Sequence, residues 1–311
     1  MDILPSGGRR RERSRAGSAS AAPAASATAV ATSRRAARAS SGRAGRNLPV
    51  AVAVGVGLGA LVVLTLFTRK ELFVALTSVA IVLAVWELSN AFAARRLSVP
   101  IVPVVVGSVG ILVSAYASGQ EALLVAFGLT VAALVVWRVL DGVDGAVRDV
   151  AAGVFSTAYV PFLAGFAMLM LAADDGHLRI VVFILVTVAS DVGGYAAGVA
   201  FGRHPMAPSV SPKKSWEGLA GSAVACLLAG ALSVVLLLDG TWWAGLVVGA
   251  AAVVTAAGGD LSESLLKRDL GIKDMGSLLP GHGGVMDRLD SLLPTAPVVY
   301  LLLAALVPAA S

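Results

Sequence analysis

Of the 311 residues, 57% are hydrophobic and 14% charged, with a mean hydropathy of +0.85; a solvated globular surface cannot be built at that composition, which excludes an ordinary soluble enzyme. The net charge of +5 is unevenly placed: residues 1–46 hold ten Arg against Asp2 and Glu12, a net of +8, whereas residues 47–311 carry −3. The basic residues sit among Ala, Ser and Gly rather than on a face with aromatics, so no nucleic-acid partner is implied.

Residues 1–46 lack the apolar core of a secretory signal, and their Arg- and Ser-rich composition fits a disordered cytoplasmic arm or a transit peptide, with composition favouring the arm. The single cysteine, Cys226, lies in an apolar stretch; it excludes an intrachain disulfide and a cysteine metal site and reads as a small hydrophobe.

From Asn47 the chain reads as an all-α polytopic membrane protein. Nine apolar stretches are long enough, or nearly so, to cross a hydrocarbon core: about 48–68, 72–94, 97–119, 122–137, 151–173, 180–201, 218–238, 242–260 and 292–310. The fourth is short and the third contains Pro100 and Pro103, so those boundaries are soft. Alternating from an inside tail places 21 Lys and Arg on the cytoplasmic side and leaves Arg69, Lys70 and Arg179 outside, which agrees with retention of positive residues inside. Eight or ten spans would put the later basic loops on the wrong face.

Both polar loops, 202–217 and 261–291, then face the cytoplasm, where nucleotides are. In the first, Pro205, Pro208 and Pro212 oppose helix, and Lys213, Lys214 and Ser215 stand before the seventh stretch, two cations and a hydroxyl suited to phosphate. A Lys pair alone reads as a membrane anchor; Ser211, Pro212, Trp216 and Glu217 around it make this one more specific.

Asp191 lies twelve residues into the sixth stretch, where a carboxylate needs a polar cavity or partner, so it is a candidate site residue. Gly193, Gly194 and Gly198 beside it permit close approach. Glu87 in the second stretch lies nearer the cytoplasmic end and reads as structural.

Residues 258–291 are the richest. On a helix, Asp260, Ser264 and Lys267 share one face. Lys273 and Asp274 follow, then a Gly-rich turn, 280–284, whose amides suit oxyanions and which contains His282; Asp287 and Asp290 flank Arg288. Carboxylates for a hard cation and bases for a polyphosphate are what Mg2+-dependent phosphoryl or nucleotidyl transfer needs.

These residues carry a resemblance. Ser264, Lys267, Arg268, Lys273, Asp274, Pro280, Gly281, His282, Gly283, Gly284, Asp287, Arg288 and Asp290 reproduce S-x-x-K-R, four residues, K-D, then P-G-H-G-G and D-R-x-D. That pattern resembles the motif of the phosphatidate cytidylyltransferases, or CDP-diacylglycerol synthases. Asp191 with Gly194 and Tyr195, and the run from Ser211 to Gly218, are similar to upstream blocks of the family, so the likeness covers about the C-terminal half, with the motifs in 180–291.

The resemblance implies a multi-pass inner-membrane enzyme, N-terminus and active site cytoplasmic, that joins CTP and phosphatidic acid to give CDP-diacylglycerol and pyrophosphate with Mg2+. It implies Asp260 and Asp287 as principal metal ligands, Asp191 and Asp290 as secondary ligands or orienters, and Lys267 and Arg268 as catalytic cations. Lys213, Lys214, Ser215, Ser264, Lys273, His282, Gly283, Gly284 and Arg288 would bind the substrate phosphates, His282 as part of the turn rather than as a base. A homodimer is the family's expectation, and lipid tails would enter between the small-residue helices six to eight.

Two rivals are weaker. Asp144, Gly145 and Arg148 resemble the start of a CDP-alcohol phosphatidyltransferase motif, but Arg148 is one position early and no second acidic pair follows. A transporter would want broken helices in mirrored halves, and nothing in the first half mirrors the second.

Overall fold

A computed structural model describes residues 48–142, 144–279 and 283–307, with side chains from residue 52 onward. The expected arm, residues 1–46, and His282 lie outside the described residues.

The chain runs α1 (Leu48–Thr68), α2 (Lys70–Ala93), α3 (Ile101–Asp141), α4 (Ala146–Ala172), α5 (Gly176–Phe201), β1 (Pro205–Ala207), β2 (Ser211–Ser215), α6 (Trp216–Leu238), α7 (Trp242–Leu270), α8 (Met286–Leu289) and α9 (Leu292–Leu306). Among the described residues seven helical runs, from α2 to the α8–α9 pair, are long and apolar enough to cross a membrane, and α1 is a shorter apolar helix. Large apolar side chains such as Val106, Leu129, Val199, Leu236 and Val254 face outward, which in water would be an aggregation surface and in lipid is the natural exterior.

The 41-residue α3 is two helices. Gly119 breaks it at φ 82° and ψ −164°, a left-handed backbone that glycine tolerates. The arms fold back on one another: a methyl on Gly107 would strike the Thr130 side chain, and Ile111 and Leu123 both approach Gly165 of α4. The third and fourth apolar stretches therefore meet at a one-residue turn rather than a loop, and the prolines fall at the N-terminal end of the first arm, where a missing N–H costs nothing. In α4, Pro161 sits in a π-helical turn, Ala158–Phe162, which absorbs the proline without ending the helix.

Helix ends pair in two groups. At one end Lys70 Nζ donates to the carbonyls of Ala173 and Asp174, Tyr116 donates to Glu71 at 3.2 Å, and Arg179 Nη2 donates to the Val307 carbonyl at 2.7 Å. At the other, Arg95 Nε donates to the Leu270 carbonyl at 3.1 Å, and buried Asp149 accepts from the Ser98 N–H at 2.8 Å and from Arg138 Nε at 3.2 Å. Asp149, one residue past the rejected phosphatidyltransferase-like run, is thus a brace between α4, α3 and the α2–α3 connection.

The bundle is all-α apart from one short element: the proline-rich loop, where helix is not expected, forms an antiparallel ribbon of β1 and β2, with Pro205 opposite Ser215 and Ala207 opposite Ser211, because three prolines deny it helix but not extended structure. One expectation is corrected. The glycines of α5 do not leave a gap for lipid. A methyl at Gly193 would meet Ala225 and the Gly221 carbonyl, and Gly230, Gly245 and Gly249 similarly seal α6 on α7; small residues here bring backbones together.

Candidate active site

The site is assembled at the end of the bundle that holds the ribbon. The chain leaves β2 directly into α6 through Ser215, whose Oγ accepts the Gly218 N–H at 3.1 Å, an N-cap. The α6 N-terminus, with its positive dipole end, therefore lies beside Lys213 and Lys214. Glu217 holds the strand entrance, accepting from the Arg203 and His204 amides at 3.1 and 3.2 Å and pairing with His204 Nδ1 at 2.5 Å.

The first ten residues of the second loop, 261–270, are helical, because α7 continues to Leu270 instead of ending near residue 260. Gly271, at φ 72°, terminates it: its N–H donates to the Arg268 carbonyl, and Ile272 N–H reaches the Lys267 carbonyl at 3.0 Å, a Schellman closure. This extension carries Asp260, Ser264 and Lys267 on one face, as their spacing predicts.

Between α5, the ribbon, α6, α7 and the α8 turn lies a cavity of about 460 Å³, within the range of about 300–1,000 Å³ usual for small-molecule sites. Asp191, Asp260, Asp287 and Asp290 line it together with Lys213, Lys214, Ser215 and Arg288. Lys214 Nζ sits 2.5 Å from Asp260 Oδ2, and Ser264 Oγ donates to Asp260 Oδ1 at 3.4 Å. Ser190, Tyr195, Met206 and Ser222 also line it; of these only Tyr195 has a sequence signal, its place beside Asp191 and Gly194.

Beneath the wall, Lys267 Nζ donates to Glu263 Oε2 at 2.8 Å and to Asp287 Oδ1 at 3.0 Å. Asp287 also accepts the Met275 N–H and, through Oδ2 at 2.8 Å, the Gly284 N–H. Its carboxylate, 6% exposed, is thus committed on several sides, and the Glu263 side chain is wholly buried. Glu263 was missed from sequence, though an acid between two serines in an apolar helix is a legible signal.

Several predicted residues do not reach the cavity. Arg268 donates from Nε to the Val210 carbonyl at 3.3 Å, tying the ribbon to α7; it stands about 80° around the helix from Asp260, enough to aim it at the ribbon backbone. Lys273 is exposed on the connection after α7, outside the cavity lining. Ser264 and Lys267 act on the lining acids rather than lining the space themselves. In the Gly-rich turn, Gly283 at φ 84° supplies a carbonyl to the Leu279 N–H, and the Gly284 amide is spent on Asp287 rather than offered to an oxyanion.

The donor set suits a hard divalent cation. It is all oxygen, and the Lys214 ammonium already supplies positive charge at Asp260. Among the described residues no three acids or histidines converge tightly enough to cage an ion by themselves; Mg2+ characteristically takes one or two carboxylates and completes its shell with water and substrate phosphates, so the residues fit.

Comparison with known proteins identifies the family. The sequence profile of the cytidylyltransferase family matches residues 49–306. A phosphatidate cytidylyltransferase of Mycobacterium bovis is 39% identical over 246 residues, covering 75% of this chain and 80% of its own. One from Mycobacterium leprae is 39% identical over 257 residues, 78% and 82% of the two chains, and one from Haemophilus influenzae is 42% identical over 154 residues, 46% and 53%. With the family profile spanning the helical region from α1 to the end of α9, the chain belongs to the cytidylyltransferase family.

Proposed function

We infer that this chain is a phosphatidate cytidylyltransferase, which transfers the cytidylyl group of CTP to phosphatidate. An oxygen of the lipid phosphate attacks the α-phosphorus of CTP, a new P–O–P linkage forms, the bond to the β-phosphate breaks, and pyrophosphate leaves. The observation that carries the reading is the cavity itself: segments as far apart in the chain as Asp191 and Asp290 present four carboxylates and three cations to a single space. Two polyanions must meet there, so charge neutralisation and in-line positioning are the main tasks.

Lys213, Lys214, Arg288 and the α6 N-terminus would hold the triphosphate and the lipid phosphate. Asp260 and Asp287 would be the principal ligands for Mg2+, with Asp191 and Asp290 supporting; the fit of the oxygen donors supports this. When bound, the ion supplies neutralisation of the polyphosphate and polarisation at the α-phosphorus. Lys214, which neutralises Asp260 here, would then be available to phosphate. Lys267 orients Asp287 from below, and Arg268 braces the ribbon, whose Lys213 and Lys214 it keeps over the cavity. Purified protein should release pyrophosphate from CTP only when phosphatidate is added; release without the lipid, or none with it, overturns the reading.

We also infer nine membrane spans, counting α1, the two arms of α3, and the α8–α9 pair as one. The pairing of helix ends into two groups supports alternation: residues 70, 116, 173 and 307 fall in one group and residues 95, 149 and 270 in the other. The charge bias supports placing the second group, and the cavity with it, on the cytoplasmic side; the inner membrane is the family's expectation. Cysteines introduced at Ser209 and Thr241 test this, Cys226 being buried. A membrane-impermeant maleimide applied to intact cells should label the second and not the first; the reverse pattern, or equal labelling, defeats it. A homodimer stays the family's expectation, to be read from mass in detergent.

A further inference from the structure

The loop that bears the signature is gripped by a carboxylate from the half of the chain in which the sequence shows no chemistry. Glu87 of α2 is 1% exposed. Its Oε2 accepts the N–H of Met286, 199 residues away, at 2.9 Å, and Met286 begins the turn that carries Asp287 and Arg288. Glycines make room for it. A methyl on Gly276 would find Glu87 as each of its three nearest neighbours, with Cγ at 2.8 Å and the carboxylate closer; a methyl on Gly284 would meet Glu87 Oε2 at 2.5 Å. The Gly284 amide in turn holds Asp287.

For packing alone an apolar side chain would serve here at lower cost, since a buried carboxylate must be compensated. What the carboxylate adds is a strong acceptor for an amide at the start of a helical turn. We infer that Glu87 is a positioning residue for cytidylyl transfer: through the Met286 amide, and seated between Gly276 and Gly284, it sets where Asp287 and Arg288 stand on the cavity wall. The inference rests on the functional reading given above. It also assigns the signature's last glycine a second task, admitting a side chain from α2, in place of phosphate contact.

The test compares full-length wild type, Glu87→Gln, Glu87→Ala, Gly276→Ala and the Glu87→Ala/Gly276→Ala double variant in lipid nanodiscs, measuring phosphatidate-dependent pyrophosphate release. Gly276→Ala removes no catalytic side chain but displaces the carboxylate, so kcat should fall about 100-fold, the scale of a misplacement near 1 Å, while KM for CTP changes less than about threefold. Glu87→Gln keeps an oxygen acceptor and should stay within about threefold of wild-type kcat. Glu87→Ala should lose about as much as Gly276→Ala, and the double variant no more than Glu87→Ala, because the added methyl then has space. Gly276→Ala at wild-type kcat, fully multiplicative losses in the double variant, or a rise in KM with kcat intact would each overturn the inference. Should Glu87→Ala yield no folded protein, Gly276→Ala and Glu87→Gln decide alone, by impaired and retained kcat respectively. A wild-type protein without phosphatidate-dependent release overturns the function and this inference together, whereas normal Gly276→Ala beside active wild type removes only the role of Glu87.

Discussion

Asp260→Asn is expected to reduce turnover by about 1,000-fold or more, equivalent to about 4 kcal/mol of transition-state stabilisation, with the protein still inserted and folded. The amide keeps the shape of the side chain but loses the charge that pairs with Lys214 at 2.5 Å and that would hold the divalent ion. Without that charge the attacking phosphate and the leaving pyrophosphate repel in a partly dry cavity, where electrostatic interactions are weakly screened. Asp287→Asn should be comparably damaging, and the two together little worse than either, since groups serving one step are not additive. Activity should vanish with chelator and return with Mg2+. Asp269→Asn is the control, its side chain being exposed at the end of α7. Asp149 cannot serve as one, because it is buried against Arg138 and the Ser98 amide. Pyrophosphate release and size-exclusion profiles check this, and near-normal turnover in either single variant removes that Asp from the chemistry.

Lys267→Met should cost stability as well as activity. Its ammonium lies between the wholly buried Glu263 and Asp287, 6% exposed, and removing one partner of a buried ion pair costs about 3–5 kcal/mol, because the remaining charge is stranded. Thermal unfolding in detergent should show a large drop in midpoint. The second arm is specific: adding Glu263→Gln to Lys267→Met removes the stranded charge and should recover much of the stability without recovering turnover, since Asp287 would still lack its cation. A single variant as stable as wild type, or a double variant less stable than the single, would show that the three groups do not act as a unit.

How far the sequence reaches depends on which forces are local. Composition and run length dictated an apolar helical bundle, since backbone groups in hydrocarbon must be satisfied within each segment. The spacing of Asp260, Ser264 and Lys267 put them on one helix face, and the order of Lys213, Lys214 and Ser215 put two cations and a capping hydroxyl at the start of a helix. The signature itself was contiguous enough to be recognised. Each of these is a property of neighbours along the chain.

What the tertiary structure alone decided is which charges meet and which merely brace. Arg268, adjacent to Lys267 in sequence, is turned by the helix to the ribbon and away from the cavity. Gly284, read as an oxyanion donor, spends its amide on Asp287 and its missing side chain on Glu87. Asp149 and Glu87 have nothing local to separate a structural partner from a site residue. Their partners lie 51 residues away for Ser98 and Asp149, and 199 for Glu87 and Met286. A buried charge is defined by what compensates it, and compensation across such separations is a consequence of how the helices pack, which no local pattern encodes.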